Sequence, residues 1–492
     1  MSKAANFVSR SKQSKIISKS YENYTNFNGK ILQIGFGGVG QTMLPLLLRH
    51  IKVIPQNVTV LEKDNHNRLF QNKYGDTGVK YIIKELTKTN LIQTLESYLT
   101  PGSMIINLST DVSSTEIVLW CLENDVLYID TSLERWPDVS DEDLSSLAAR
   151  TLYSEIQKIR DLTKPFPKGG TCVVTHGANP GLVSHFTKAA LLDLAKASNK
   201  DTSIPTTREG WAQLSKELEV KVIHISERDT QIIDVPKRKN EFVNTWSCRG
   251  FWEEGRAPAE LGWGSHEYKL PHNGFEHKSG PKNAIYLNQP SVSLLLKSWA
   301  PSGGSFNGFC VQHNESVTIS EYLTVQTKNE LYRPSVYYVY CPCDAAIVSV
   351  HEFRGLELKI QDSCRIVKTE IIAGMDELGV FLLGHKLNGL WYGSQLDIKQ
   401  ANDLIPGEGP TSIQVVGSML GAIVWMIKNP NMGYCEPEDL PFDFVLKYAL
   451  PYLGTIVSKL SDWTPHDDRN SLFRNKVDLS NPWSFDNFKI SS

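Results

Sequence analysis

A glycine-rich turn constrains this chain more than any other feature. Gly35-Phe36-Gly37-Gly38-Val39-Gly40 lies between an apolar run, Ile31-Leu32-Gln33-Ile34, and a helix-like run from Gln41 to His50. The spacing is G-x-G-x-x-G, with a strand expected before it and a helix after it. The first glycine permits a tight turn, the second lets the backbone approach a pyrophosphate, and the third lets helix and strand pack closely. The helix N-terminus then faces the negative charge. A second strand-like run, Asn57 to Leu61, ends at Glu62. An acid about 20 residues beyond such a turn accepts the ribose hydroxyls of NAD and repels the 2′-phosphate of NADP. Lys63 beside it softens that exclusion. The expected cofactor is NAD, held by Gly35, Phe36, Gly37, Gly38, Val39, Gly40 and Glu62.

From Lys30 to Thr131 the pattern alternates strand and helix, with candidate strands at 30–35, 57–62, 79–84, 103–108 and 126–131. That alternation predicts an α/β fold with a Rossmann-like, doubly wound parallel sheet. Pro45 inside the first helix is a local conflict. A helical stretch is expected over Asp141 to Leu162, then a linker to Gly170 and a strand leading to Gly177-Ala178-Asn179-Pro180-Gly181. After about residue 200 tyrosine, tryptophan, glycine and proline rise. β-like runs appear at 219–226, 241–247, 309–314, 335–341, 366–372 and 379–385. They predict an α+β second domain with a mainly antiparallel sheet. Helices are expected again at about 399–427 and 437–459, packing back on the first domain. The expected organisation is a basic tail (1–28), an NAD-binding domain (29–180), a substrate and dimerisation domain (181–398) and a C-terminal helical region (399–492).

Composition excludes several partners. The 492 residues carry 51 basic and 54 acidic side chains, a net charge of −3, which favours neither nucleic acid nor a membrane surface. The apolar run Val415 to Ile427 contains Gly417 and Gly421, is too short to cross a bilayer, and predicts a buried helix with a close contact. Eight dispersed cysteines read as reduced thiols of a cytoplasmic protein. Cys341, Cys343 and His351 lack a second ligand pair, so no metal is expected. Lys3, Arg10, Lys12, Lys15 and Lys19 with several serines could form a transit peptide, but a disordered tail is the better reading.

In a parallel sheet ligands bind beyond the carboxyl ends of the strands. Ser109, Asp111 and Thr131 therefore belong beside the cofactor, with serine and threonine suited to ribose and amide contacts. Glu134 adds a charge to the same mouth, although an acid there equally serves as a helix cap. The second domain pairs carboxylates with aromatics: Glu227 in His224–Thr230, Trp246 in Val243–Trp246, Glu253-Glu254, and His313-Asn314-Glu315. That combination suits a cationic amine held by carboxylates and an aromatic face. Singly, each residue equally fits a surface ion pair or the core.

A string of longer segments carries a resemblance. IGFGGVG (34–40), YIDT (128–131), GANPG (177–181), PTTREGW (205–211), HISERDTQ (224–231), VNTWS (243–247), PAELGWG (258–264), HNES (313–316), YRP (332–334), DELGV (376–380), WYGSQL (391–396) and DWTP (462–465) resemble the bacterial homospermidine synthase family. This family is related to saccharopine-dehydrogenase-like and carboxynorspermidine-synthase enzymes. The resemblance runs from about Ile31 to Trp483. It implies a homodimeric enzyme acting on putrescine or spermidine. Putrescine is oxidised to an imine by hydride transfer to NAD⁺, ammonia leaves as a second amine joins, and NADH returns the hydride to give sym-homospermidine.

By matching motifs, the resemblance implies that Trp246 offers a cation–π face and that Glu227 and Glu254 bind ammonium groups. Glu134 exchanges protons with the reacting amine, Asn179 positions substrate or nicotinamide amide, and His313 orients water or shuttles a proton, a structural histidine being its alternative. Arg135, Cys248 and Arg249 depart from a purely acidic site. A saccharopine-type dehydrogenase or carboxynorspermidine synthase is the second reading. It needs arginines for substrate carboxylates, for which Arg208, Arg228 and Arg333 are available. A non-catalytic NAD sensor is the third.

Overall fold

The computed structural model describes residues 21–137, 146–467, 469 and 477–490. Most of the basic tail and the start of the stretch expected from Asp141 lie outside the described residues.

Seven parallel strands form the first sheet, in the spatial order Tyr434–Cys435, Cys172–Val173, Leu127–Asp130, Met104–Asn107, Ile31–Ile34, Val58–Glu62 and Lys80–Ile83. Most central positions are buried and apolar, as a sheet covered on both faces requires. Chain order reverses between Ile31–Ile34 and Met104–Asn107, and the crevice of a doubly wound sheet opens at such a switch point. The helix Gly38–His50 follows the first strand and runs through Pro45.

The second sheet has ten strands. Its backbone runs Gly274–Glu276, Ala284–Pro290, Pro258–Gly262, Ser335–Cys341, Val222–Asp229, Met375–His385, Asn388–Asp397 and Thr455–Ser461, with Leu295–Ala300 and Gly304–Val311 branching from Ser335–Cys341. Only the Ser335–Cys341 and Val222–Asp229 pair is parallel. The architecture is α/β with a mainly antiparallel second sheet.

The C-terminal segment differs from the helices expected there. Helix Ile398–Leu404 stops before Pro406, and a second helix starts at Pro410 and runs to Lys428. Proline at the first helical position suits that start, since its missing N–H is unpaired there anyway. The segment expected to be helical to residue 459 is α-helical only over Phe442–Ala449, with single 3₁₀ turns at Pro437–Asp439 and Leu450–Tyr452, and Thr455–Ser461 pairs antiparallel with the strand at 388–397. Leu450-Pro451 interrupts the helix, and the β-branched Thr455, Ile456 and Val457 suit a pleated strand.

The helix Pro410–Lys428 is longer than its apolar run suggests. By length and composition it could span a membrane, but 89% of its most apolar window is buried inside the protein. It packs against the helix Gly38–His50 and against Phe442–Ala449. Its glycines permit close approach to that second helix and to the turn after it: a Cβ on Gly421 would stand 2.5 Å from the Val445 carbonyl oxygen, and one on Gly417 2.8 Å from Tyr452 Cβ.

Candidate active site

The switch point is built for a phosphate group. Gly35 has φ +95°, and a Cβ there would lie 2.6 Å from the Leu108 carbonyl oxygen of the adjacent strand end. A Cβ on Gly40 would lie 2.4 Å from the Gly35 carbonyl oxygen. Gln33 fixes the loop by donating to both Gly35 O (2.9 Å) and Gly40 O (3.0 Å). Gly37 is different: a Cβ there would meet nothing within 4 Å. It caps the helix Gly38–His50 without a side-chain bond, and the first turn holds no acid. Free helix N–H groups beside open space form an anion cradle, so these residues fit a dinucleotide pyrophosphate. Phe36 contributes its backbone, since its side chain is buried against Phe70, Tyr74 and Tyr81.

Glu62 is buried at the neighbouring strand end. Its carboxylate accepts the Phe36 N–H at 2.5 Å and the Lys63 and Asp64 N–H groups at 2.8 and 3.1 Å. It thus ties the glycine turn to the position where a ribose belongs. Ser109 and Thr131 line the cavity. Asp111 does not line it; its carboxylate pairs with Lys63 and, at 3.1 Å, with Arg249 Nη1.

From this cradle a cavity of about 880 Å³ extends between the two sheets, with Glu134, Asn179, Glu227, Trp246, Glu254 and His313 on its walls. The structure therefore brings together all six residues singled out in sequence for chemistry. Glu227 lies on the strand Val222–Asp229, alongside Ser335–Cys341. Its Oε2 accepts from Tyr338 Oη at 2.5 Å and from Asn179 Nδ2 at 2.8 Å. Burial and then nearby Asp229 push its pKa up to about 7 against those hydrogen bonds. Glu134 accepts from Ser132 Oγ at 2.5 Å. Its pKa rises to about 8, chiefly through burial, with Glu253, Asp130 and Glu254 adding repulsion. Trp246 donates Nε1–H to Tyr340 Oη at 3.1 Å, which fixes the indole at the cavity wall.

His313 stands between two carboxylates. Nε2 is 3.3 Å from Glu254 Oε2 and Nδ1 is 3.1 Å from Glu315 Oε1. Burial disfavours the imidazolium, but the two carboxylates outweigh it and lift the pKa to about 10. His313 is a cation at neutral pH in this arrangement. Glu254 is raised by its own burial and lowered by His313.

Several contributors had no role assigned from the sequence, Glu315 among them although it lies in the His313-Asn314-Glu315 cluster. Tyr338 and Tyr340 alternate to one face of their strand, a signal that was present, but only strand register puts that face opposite Glu227. Glu315 lies two residues after His313, fully buried in the first helical turn, where nothing local marks it as the histidine's partner. The arginines of the second reading lie elsewhere. Arg208 donates to the Glu321 carbonyl and Arg333 to the Lys282 carbonyl, while none of Arg208, Arg228 and Arg333 lines the cavity. The arginines at its walls are Arg135, Arg150, Arg249 and Arg256, of which Arg135 pairs with Glu155 at 2.9 Å.

The family model of the saccharopine dehydrogenase NADP binding domain matches residues 31–174, and that of the saccharopine dehydrogenase C-terminal domain matches residues 177–460. Homospermidine synthase of Blastochloris viridis is 41% identical over 95% of this chain and 98% of its own length. The chain belongs to the homospermidine synthase family. Within that family, homospermidine synthase of Mesorhizobium japonicum is 39% identical over 97% of this chain and 99% of its own length. Homospermidine synthase from Legionella pneumophila, solved in complex with NAD, superimposes with a TM-score of 0.88 at 37% identity, covering 95% of this chain and 98% of that one. Family membership and the glycine cradle agree on an NAD-dependent enzyme.

Proposed function

We propose that the chain joins two diamines at this cavity, transferring an aminobutyl group from putrescine or spermidine to putrescine and forming sym-homospermidine. Ammonia, or diaminopropane when spermidine is the donor, is the other product. The observation that carries this reading is that Glu134, Glu227, Glu254 and Trp246 line one cavity together with Val39 of the glycine turn. Bound NAD takes the hydride from the carbon next to nitrogen and later gives it back, so the reaction has no net redox change.

The side chains supply binding and proton transfer. An amine gives up hydride only when its nitrogen is neutral, so a base must first remove a proton. Glu134 fits that role, because a carboxyl poised near pH 8 exchanges protons efficiently around neutrality. Glu227 and Glu254 hold ammonium groups. Asn179 gives its amide N–H to Glu227, which leaves its carbonyl oxygen as a further acceptor. Trp246 presents a π face to a cationic nitrogen, worth about 0.5–2 kcal/mol. His313, already charged, orients the Glu254 carboxylate.

Arg208, Arg228 and Arg333, the arginines on which a saccharopine-type reading depended, do not line the cavity; of those that do, Arg135 pairs with Glu155, and Arg249 with Asp111 and Glu253. In this reading the protein works in the cytoplasm without nucleic acid or membrane as partner, which its dispersed free cysteines and balanced charge support, and as a homodimer, which the family resemblance alone suggests.

Isotope retention tests the hydride loop. Putrescine deuterated at both aminomethylene carbons is incubated with the protein and a trace of unlabelled NAD⁺. Homospermidine that keeps all its deuterium beside the new secondary amine supports return of the same hydride. Loss of a deuterium there at every turnover contradicts it.

A further inference from the structure

Glu62 is followed by Lys63, and a cation beside the ribose-binding acid is the group that an adenosine 2′-phosphate would recruit. The Lys63 side chain is 43% exposed, yet its ammonium is engaged with Asp111 Oδ2, on the loop after the strand Met104–Asn107. The other Asp111 oxygen meets Arg249 Nη1 at 3.1 Å, from the second-domain helix Cys248–Arg256. Arg249 is drawn further away from any phosphate by Glu253, whose Oε1 lies 3.3 Å from Arg249 Nε. Asp111 is held in place: its side chain is 15% exposed, and its N–H donates to Ser109 Oγ at 3.2 Å. Lys63, next to the ribose-binding Glu62, and Arg249, at the substrate-cavity wall, are thus both held by one carboxylate. That carboxylate does not line the substrate cavity.

We propose that Asp111 is a cofactor-specificity residue: by pairing with Lys63 it withholds that cation from the 2′-phosphate of NADP, while Arg249 holds its other oxygen in place, leaving Glu62 to receive the ribose diol of NAD. Removing its charge frees Lys63 to turn toward the 2′ position. Because the same change also frees Arg249, the contribution of Lys63 is isolated by a second substitution. This inference rests on the cofactor reading above and concerns only how one dinucleotide is chosen over the other.

The test is calorimetric binding of NAD⁺ and NADP⁺, separately, to the full chain and its Asp111→Asn, Lys63→Ala and doubly substituted forms. Asp111→Asn is expected to tighten NADP⁺ relative to NAD⁺ by about 10-fold, the scale of one charge-assisted hydrogen bond to a phosphate oxygen. Adding Lys63→Ala is expected to cancel most of that gain, and Lys63→Ala alone to leave the NADP⁺/NAD⁺ ratio within about 2-fold of the unsubstituted protein, because Lys63 is already occupied. An unchanged ratio in Asp111→Asn, or a gain that survives loss of Lys63, overturns the proposal. If Asp111→Asn does not fold, Lys63→Ala alone decides: a ratio that moves by 10-fold shows Lys63 was never withheld. Failure of the unsubstituted protein to bind NAD⁺ would sink the cofactor reading itself, a result distinguishable from a mistaken role for Asp111.

Discussion

His313 and Glu254 face one another across 3.3 Å at the cavity wall, with Glu315 on the histidine's other nitrogen. This makes His313 an internal counter-ion and gives the protein a definite dependence on pH. Its pKa is raised to about 10 in the fold, against about 6.5 in an unfolded chain. The stabilisation it contributes is fully present below about pH 6.5 and is lost as pH rises through 10. His313→Gln leaves Glu315 buried without its cation and is expected to cost about 3–5 kcal/mol near pH 6. Urea titrations at several pH values should show the gap between the two proteins closing toward pH 10.

Glu134→Gln removes the proposed proton acceptor while keeping the hydrogen-bonding size of the side chain. The turnover number should fall by about 100-fold or more, the usual contribution of general acid–base catalysis. NAD⁺ binding, measured separately, should not change. Loss of NAD⁺ affinity in parallel would instead make Glu134 part of the cofactor site.

Amine binding should expel protons. In the free protein Glu134 and Glu227 are raised to about 8 and about 7, so both are substantially protonated at pH 7. An arriving ammonium favours their charged forms and lowers both values. Calorimetry in buffers of different ionisation enthalpy should detect proton release at pH 7 that vanishes by about pH 9.5, where both carboxylates are already ionised.

Trp246 separates a π contact from mere bulk. Trp246→Leu should raise the KM for putrescine by about 3- to 30-fold, as loss of a partly desolvated cation–π contact predicts. Trp246→Phe keeps a ring but loses the bond to Tyr340 and should fall between the two. Steady-state kinetics on the three proteins gives the order.

Two glycines of the turn should respond differently to alanine. Gly40→Ala drives a methyl to 2.4 Å from the Gly35 carbonyl and should lower the melting temperature as well as NAD⁺ affinity. Gly37→Ala faces open space and should melt normally while weakening NAD⁺, because the methyl occupies the approach to the pyrophosphate. Thermal melts alongside NAD⁺ titrations distinguish the two.

The parallel sheet was legible in sequence because buried strands are written as apolar runs. The five candidate strands fall on Ile31–Ile34, Val58–Glu62, Lys80–Ile83, Met104–Asn107 and Leu127–Asp130 to within a residue or two. Its remaining edge strand was not: Tyr434–Cys435 is only two residues long and pairs with Cys172–Val173 from a distant part of the chain. Strand Thr455–Ser461 was hidden by the neighbouring helix and lies at the sheet edge, where burial imposes little pattern. At the site, residues carried by the resemblance were found together. Their partners were set by tertiary pairing: Tyr338 with Glu227 depends on register, and Asp111 with Arg249 depends on how the second domain meets the first.

The most direct test of a synthase with an internal hydride loop is mass analysis of the amines formed from putrescine with NAD⁺ in catalytic amount. The account predicts homospermidine and ammonia over many turnovers with no accumulating NADH. Steady NADH formation from an amine or amino acid, without a coupled polyamine product, would contradict it.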